Sequence, residues 1–254
     1  MDLSFKTAAF VMVIVTSVLG QNTGSTSTFD ENGISWGIEN DLSSRNFYQG
    51  MILSESAVTQ PGIWISFHSF TLTQWSNVLL TDKDGLGADE SDFILDYEYE
   101  FNNLILAPEL ILYYFPKESS DRITSEFNLK VSYKLGIFSF FTDNTIDFAT
   151  FAGSYFGDLG GQLSFEFSEK FSAEAIVAIC WASPYYNEIN WELEPQNGWT
   201  FNSFSADISS TYYIFDFLYL KPHIGAVTVI DKILKKTAYT ESTVFGGLAI
   251  GLEF

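Results

Sequence analysis

The last twelve residues of the chain, Thr243–Phe254, alternate between two sets of side chains. One set is apolar or glycine: Phe254, Leu252, Ile250, Leu248, Gly246 and Val244. The other set is Glu253, Gly251, Ala249, Gly247 and Phe245. A period of two puts the sets on opposite faces of a β-strand. An apolar strand at the edge of a soluble sheet pairs readily with other chains, whereas a closed membrane barrel has no edge. The stretch therefore favours a barrel whose last strand pairs with its first.

The composition points the same way. Of the 254 residues, 17% are aromatic and 17% are charged, and the charged share lies below the ~25% of a typical soluble domain. After the N-terminus no apolar run reaches the ~18 residues that a spanning helix needs. A net charge of −20 argues against nucleic acid as a partner. The single cysteine, Cys180, excludes an intrachain disulfide and a multi-cysteine metal site.

The N-terminus predicts export. Residues 1–20 read as a signal peptide, with Lys6 as the basic start, an apolar run over Ala8–Val15 and small or tolerated residues before the cut. The alternative is a membrane anchor helix, but the stretch is short and a polar segment follows it. Residues 21–32 are rich in Ser, Thr and Gly and predict a disordered segment. Residues 33–254 are then the barrel.

The alternation continues through the chain and predicts an all-β, up-and-down antiparallel barrel. Asp92–Phe101 is its clearest strand, whereas Ile34–Ser56 reads as one long strand with a break near Asn46, and Pro108 predicts a bulge. Pattern reading gives about twelve strands, within about ten to fourteen. Tight turns are expected near Ser69, Asn102-Asn103, Gly136, Glu169-Lys170 and Ile214-Phe215, and longer loops near 81–91, 116–122, 149–158, 184–198 and 231–242. Short periplasmic turns and longer outer loops are typical of outer-membrane barrels.

Aromatic residues near strand ends predict the girdles that such barrels place at the membrane interfaces. They are Tyr113, Tyr114, Trp181, Trp199, Tyr212 and Tyr213.

Several short segments resemble a family of bacterial putative porins sometimes called TorF-like. They are Ser44–Gly50 (SRNFYQG), Gln60-Pro61, Gln74–Val78 (QWSNV), Asp96–Tyr99 and Tyr113–Pro116 (YYFP). The chain has Asn46 and Gln49 where the family pattern favours Tyr and Arg. The ending on Phe254 also resembles the terminal signal that the assembly machinery of bacterial outer-membrane proteins reads. The resemblance implies a barrel in the outer membrane of a Gram-negative bacterium, with outer-membrane lipid, lipopolysaccharide and that machinery as partners.

The polar faces of the strands predict the lumen. The candidate pore-lining residues are Glu39, Asp41, Arg45, Asp96, Glu98, Glu100, Glu109, Glu126, Lys130, Lys134, Glu166, Glu174, Asp207, Lys221, His223 and Glu253. A passage lined mostly by carboxylates attracts cations. The sequence therefore predicts a porin-like channel for passive diffusion of small polar or cationic solutes. The alternative is a filled lumen, because a barrel of about twelve strands lies between the filled and the conducting sizes, and the protein then has a structural or surface-binding role.

Other classes of function fit less well. An outer-membrane hydrolase needs a histidine beside a nucleophile, and Ser66 and His68 share a strand face, but no orienting acid follows from the sequence. The acidic loop 81–91 has the composition of a calcium loop, but its first glycine, Gly85, is at the wrong offset for an EF-hand. A solvated loop is the favoured interpretation, and weak divalent bridging to lipopolysaccharide is the alternative. No enzyme, catalytic residue, cofactor or metal site is predicted. A secreted β-sandwich would also alternate, but a second sheet would have to cover its apolar faces.

Overall fold

The computed structural model is a closed ring of twelve antiparallel, hydrogen-bonded strand positions, which we call staves. The structure describes residues 33–48, 51–54, 56–80, 87–191, 193, 198–238 and 240–254. The predicted signal peptide and exit segment, residues 1–32, lie outside the described residues, as do residues 81–86 of the acidic loop. The closed barrel confirms the predicted fold class and strand count. It also excludes the β-sandwich, because the sheet closes on itself.

The elements follow the chain in simple order. The first strands are β1 (Ile34–Ser43), β2 (Asn46–Tyr48), β3 (Met51–Ser54), β4 (Val58–Phe67), β5 (Phe70–Leu79), β6 (Ala88–Tyr97), β7 (Tyr99–Phe101) and β8 (Leu104–Tyr114). The others are β9 (Ile123–Leu135), β10 (Phe138–Asp147), β11 (Tyr155–Ser168), β12 (Phe171–Ala182), β13 (Thr200–Phe215), β14 (Leu218–Val229) and β15 (Ser242–Glu253). Helices α1 (Pro184–Asn190) and α2 (Leu234–Thr237) lie in two of the connections. Within the described residues, no helix is long and apolar enough to cross a membrane.

The ring closes where β15 pairs with β1, over a register that runs from Gly37 opposite Glu253 to Ser43 opposite Gly247. The backbones of Trp36 and Phe254 exchange two further hydrogen bonds of 3.0 and 2.9 Å. Each stave along the chain pairs with the next, so the barrel is an up-and-down one.

One stave is interrupted. β6 and β7 both pair with β8, and Glu98 separates them. Pro108 lies on β8 between the two paired stretches and has no N–H to donate. The register is the same on both sides of the break, with Asp96 opposite Glu109 and Tyr99 opposite Leu106. The predicted bulge at Pro108 is therefore wrong, because the missing donor breaks the ladder without adding a residue.

The two rims differ as the sequence predicted. Five two-residue turns connect β4–β5, β7–β8, β9–β10, β11–β12 and β13–β14 at one rim. All the longer connections lie at the other rim. The last tight turn is at Asp216-Phe217, two residues beyond its predicted position, because β13 continues to Phe215. The short-turn rim is the periplasmic one in barrels of this kind, and the long-loop rim is the outer one.

The outward face of the wall is apolar. On β4, for example, Ile63, Ile65 and Phe67 are half exposed, while Trp64 between them points inward and is buried. An exposed phenylalanine flanks each of the five short turns, and together with the C-terminal Phe254 these residues form an aromatic ring: Phe67, Phe70, Phe101, Phe138, Phe167, Phe171, Phe215, Phe217 and Phe254. Such a belt with an aromatic edge fits a lipid environment.

The predicted girdle needs a correction at two positions. Tyr113 points inward and is 2% exposed, and the hydroxyl of Tyr213 donates to Glu253 inside the barrel, at 3.2 Å. Tyr114, Trp199 and Tyr212 are exposed. Proximity to a strand end could not separate these pairs, because neighbouring residues of a strand face opposite sides.

The first connection also differs from its prediction. The segment 34–56 is not one long strand: β1 ends at Ser43, and β2 and β3 form a separate two-stranded hairpin. Tyr48 and Met51 of this hairpin are buried against inward-facing residues of the wall. The hairpin therefore lies inside the outer end of the barrel.

Candidate functional site

A cavity of about 310 Å³ occupies the middle of the lumen. Its charged lining is mostly acidic. The carboxylates are Glu39, Asp41, Asp92, Asp96, Glu98, Glu109, Asp143, Asp158, Glu174 and Asp207, and the basic side chains are Arg45, Lys130, Lys221 and His223.

The predicted pore-lining residues all lie at inward-facing positions, and most of them surround this cavity. Those that line it are Glu39, Asp41, Arg45, Asp96, Glu98, Glu109, Lys130, Glu174, Asp207, Lys221 and His223. Those that do not are Glu100, Glu126, Lys134, Glu166 and Glu253. Whether any of them lines a conducting path remains a prediction.

The five residues away from the cavity lie toward the two ends of the barrel. Glu126 is buried near the outer end and accepts a hydrogen bond of 2.9 Å from Tyr113 Oη. Glu100 and Lys134 approach to 4.0 Å near the short-turn rim, where Glu166 and Glu253 also lie.

The cavity also contains carboxylates that the sequence prediction missed. Asp143 was missed because β10 carries aromatic residues on both faces, so its alternation has no clear phase. Asp158 was missed because the segment was predicted as a loop, although β11 begins at Tyr155. Asp92 was assigned to the polar face of its strand but was not chosen as a lining residue.

One side of the lumen, which we call the paired wall, consists of β13, β14, β15 and β1. Its geometry depends on small inward residues of β15. Gly251 lies directly between Tyr219 on β14 and Glu39 on β1. The tyrosine side chain therefore lies over the glycine, and its hydroxyl donates to Glu39 Oε2 at 2.6 Å. A Cβ at Gly251 would come within 2.2 Å of that ring.

A second contact crosses β15 at Gly247, four residues before Gly251. His223 reaches over Gly247, and its Nε2 lies 3.1 Å from Asp41 Oδ2. Lys221 and Asp41 both lie opposite Ala249. The Lys221 side chain is therefore placed between the contact over Gly251 and the contact over Gly247. Glu39, Asp41 and Glu253 of this wall thus have hydrogen-bond or ionic partners that reach them across an intervening strand.

The opposite side, the acidic wall, consists of β6 and β8 to β11. Here carboxylates face each other across neighbouring strands: Asp96 lies opposite Glu109, and Asp143 lies opposite Asp158. Like charges directly opposite each other destabilise a sheet. Oδ1 of Asp143 and Oδ1 of Asp158 are buried without a hydrogen-bond partner.

Few basic side chains accompany the carboxylates of the acidic wall. Lys130 lies opposite Asp143 on β9, and its ammonium lies 5.3 Å from the ring centre of Phe141. Phe141 itself lies flat over Gly160, where a Cβ would come within 2.3 Å of the ring. The flat ring leaves the middle of the lumen free for the charged groups.

The outer end of the lumen has a different character. We call the buried cluster there the outer apolar layer: Tyr48, Met51, Ile94, Ile111, Tyr113, Phe115, Phe156, Cys180, Ala182, Tyr186, Trp191, Val229 and Leu234. The hairpin, the wall and both helices contribute to it. Burial raises the pKa of the Tyr186 hydroxyl, on α1, well above its usual range, so this group is neutral. The layer lies across the outer mouth, above the polar cavity.

The candidate hydrolase residues are not assembled as a catalytic site. Ser66 Oγ shares a hydrogen bond of 2.8 Å with Thr71 Oγ1. His68 lies in the β4–β5 turn with φ at +53°, and its ring packs against Phe67. His223 is on the other side of the barrel and is held by Asp41.

No family model matches the chain, and no curated protein matches its sequence. Solved structures match its fold. The NanC porin aligns with a TM-score of 0.52 and 9% identity, over 86% of this chain and 98% of that one. The KdgM porin aligns with a TM-score of 0.51 and 11% identity, over 87% and 99%. An outer-membrane channel from Pseudomonas putida aligns with a TM-score of 0.50 and 10% identity, over 87% and 95%.

The fold is that of outer-membrane porins. The similarity covers nearly the whole of each of these two neighbours. Together with the apolar belt and the aromatic ring, this fold places the protein in the outer membrane.

Proposed function

We propose that the protein is an outer-membrane channel for passive diffusion of small polar or cationic solutes. The observation that carries the proposal is the lining of the central cavity, where ten carboxylates accompany four basic side chains. A water-filled passage with this excess of negative charge concentrates cations and repels anions.

The acidic wall contributes most to this preference. In the paired wall, His223 and Tyr219 compensate Asp41 and Glu39. In the acidic wall, Asp143 and Asp158 face each other, and each has a carboxylate oxygen without a hydrogen-bond partner. A passing cation would supply the charge that these groups lack.

The proposed selectivity separates this chain from one of its structural neighbours. The KdgM porin has been solved in complex with disordered oligogalacturonate. A polyanionic sugar entering this cavity would meet like charge, so we expect such a solute to be excluded.

A second candidate function is a closed barrel with a structural or surface-binding role. The outer apolar layer favours it, because Tyr48 and Tyr186 are fully buried across the outer mouth. If the protein is a channel, the β2–β3 hairpin must move out of the lumen or solutes must pass beside it. If the barrel is closed, the hairpin stays in place.

Reversal potentials in planar bilayers test the channel directly. The protein, refolded into a bilayer under a salt gradient, should conduct and should give a reversal potential of the sign expected for cations. Anion preference contradicts the proposed solute class. If the protein does not conduct, a variant with residues 46–54 replaced by a short Gly-Ser linker distinguishes a closed gate from a barrel without a path, because only the gate would then open.

We also propose that the chain is related to the TorF-like putative porins, and that assembly machinery recognises β15 and Phe254. The packing of Phe254 against Trp36, with ring centres 4.6 Å apart, gives this residue a second role in closure. Phe254→Ala should therefore slow assembly in cells. The same variant refolded in detergent separates the two roles, because only loss of recognition leaves refolding unchanged.

A further inference from the structure

Two buried carboxylates near the outer rim have opposite surroundings. Asp147 is 1% exposed, and it accepts hydrogen bonds from the Thr124 hydroxyl and from the backbone N–H groups of Ala149 and Phe151. This is the usual way in which a protein compensates a buried carboxylate. The wall at this height can therefore bury an acid and satisfy it.

Glu90 has no such compensation. It is fully buried, neither of its carboxylate oxygens accepts a hydrogen bond from a hydroxyl, amide or basic group of the described residues, and its side chain is in hydrogen-bond contact with that of Asp92. Asp92, two residues along on the same inward face of β6, is 2% exposed, and its Oδ1 also has no partner. Charge on both carboxyls without a counter-ion would cost several kcal/mol, so this pair either shares a proton or binds a cation.

Among the described residues, the groups around the pair add oxygen atoms, and Lys117 pairs with the neighbouring Asp89 at 2.6 Å. Tyr113 lies directly opposite Asp92, and its hydroxyl donates to Glu126. The hydroxyl of Tyr48, on the hairpin, is fully buried in the same outer apolar layer, beside the hydroxyl of Tyr186 and close enough to Glu90 and Glu126 to feel their charge. The ion pairs of Lys117, Lys134, Lys170, His223 and Lys235 are made with acids other than Glu90, Asp92 and Glu126.

We propose that Glu90 and Asp92 bind a divalent cation at the outer mouth, and that calcium is the ion that fits best. Calcium prefers oxygen ligands and tolerates irregular geometry, and it is bound by carboxylates together with neutral oxygens and water. No three acidic, histidine or cysteine side chains of the described residues converge on one point. The site therefore has two charged ligands, and the rest of its shell comes from neutral oxygens such as that of Tyr48 and from water.

The position of the site gives the ion a mechanical role. Glu90 and Asp92 belong to the wall, whereas Tyr48 belongs to the β2–β3 hairpin. An ion bound between them holds the hairpin against the wall. The site goes beyond the proposed transport function, because calcium can bind in this way whether or not the lumen conducts.

Calcium binding to the purified barrel in detergent tests the proposal without any transport measurement. Calcium should raise the unfolding temperature in a saturable way, with magnesium much less effective. Terbium, used as a calcium substitute, should show emission excited through the neighbouring tyrosines, and calcium should quench it by displacement. Glu90→Gln and Asp92→Asn should each weaken binding by more than about tenfold, because each removes one of the two charged ligands.

The matched control is Glu100→Gln, which removes an inward acid at the opposite rim and should bind calcium as the parent does. The proposal is overturned if calcium leaves the unfolding temperature of the parent unchanged. It is also overturned if Glu90→Gln and Asp92→Asn respond to calcium like the parent. The first result would mean that the two carboxyls are buried as neutral groups, in which case Glu90→Gln should be as stable as the parent or more so. The second would mean that calcium binds elsewhere on the barrel.

Discussion

The two walls of the lumen carry similar acids in different surroundings. In the paired wall, Asp41 and Glu39 receive side chains that cross a neighbouring strand. In the acidic wall, Asp143 and Asp158 lie opposite each other, and the row contains the single amine of Lys130. The same residue type therefore stabilises one side of the barrel and destabilises the other.

The difference shows where selectivity and stability are separated in this molecule. A carboxylate that is paired with a basic or hydrogen-bonding group attracts a passing solute only weakly. Carboxylates that face each other attract cations more strongly, but their mutual repulsion lowers the stability of the sheet. Tolerated strain of this kind is common at functional sites. We therefore expect substitutions in the two walls to have opposite effects.

The largest effect on ion selectivity is expected from the acidic wall. Asp143→Asn together with Asp158→Asn should move the cation-to-anion permeability ratio several-fold toward one, because the facing charges disappear. The same change should raise the free energy of unfolding, by up to about 1 kcal/mol, through relief of like-charge repulsion. Reversal potentials and urea titration measure the two quantities.

Asp41→Asn in the paired wall is the matched comparison. It should change the permeability ratio less and should lower the stability, because His223 loses its ionic partner. Equal selectivity changes in both variants would show that the walls do not differ in function.

An intermediate effect is expected at Gly247. Gly247→Ala places a Cβ 2.3 Å from His223 Nε2 and 2.7 Å from the Leu42 carbonyl oxygen, so the imidazole must move away from Asp41. Overpacking of this kind costs about 2 kcal/mol, which urea titration of the refolded barrel should detect. Gly62→Ala, another inward position, meets no atom closer than 3.6 Å and should be nearly neutral.

The smallest effect is expected at Tyr219. Tyr219→Phe removes the 2.6 Å hydrogen bond to Glu39 and keeps the ring over Gly251. The loss should be about 1 kcal/mol in the free energy of unfolding, since the bond is only partly buried. Tyr212→Phe, on the lipid side of the same wall, should change nothing, and a comparable loss there would contradict the role given to the bond.

The parts of the fold that follow from the sequence are those that lipid imposes. A stave with lipid outside and water inside must alternate, so Asp92–Phe101 could be recognised from its side chains alone. The asymmetry of the rims follows from where polar residues accumulate. The residues that face inward could be predicted for the same reason, because a period of two fixes the face.

The parts that did not follow from the sequence lie where this constraint is absent. Asn46, Tyr48 and Met51 of the β2–β3 hairpin are buried in protein, so lipid imposes no alternation on this segment, and it was read as a continuation of β1. Helix α1 had a readable signal: Ser183 accepts a hydrogen bond of 3.1 Å from the Tyr186 N–H, and Pro184 follows it at the first helical position. That Asp143 and Asp158 lie opposite each other depends on the register between β10 and β11, which the pattern of a single strand does not determine.

The contacts over β15 have a consequence for the order of assembly. Tyr219 and Glu39 are 180 positions apart in the chain, and His223 and Asp41 are 182 apart. Contacts between residues so far apart form late in folding. A sheet that has not yet curled into a cylinder would leave both carboxylates without these partners. The polar groups at the junction of the first and last strands are thus satisfied only when the cylinder is complete, so an incompletely closed barrel is less stable.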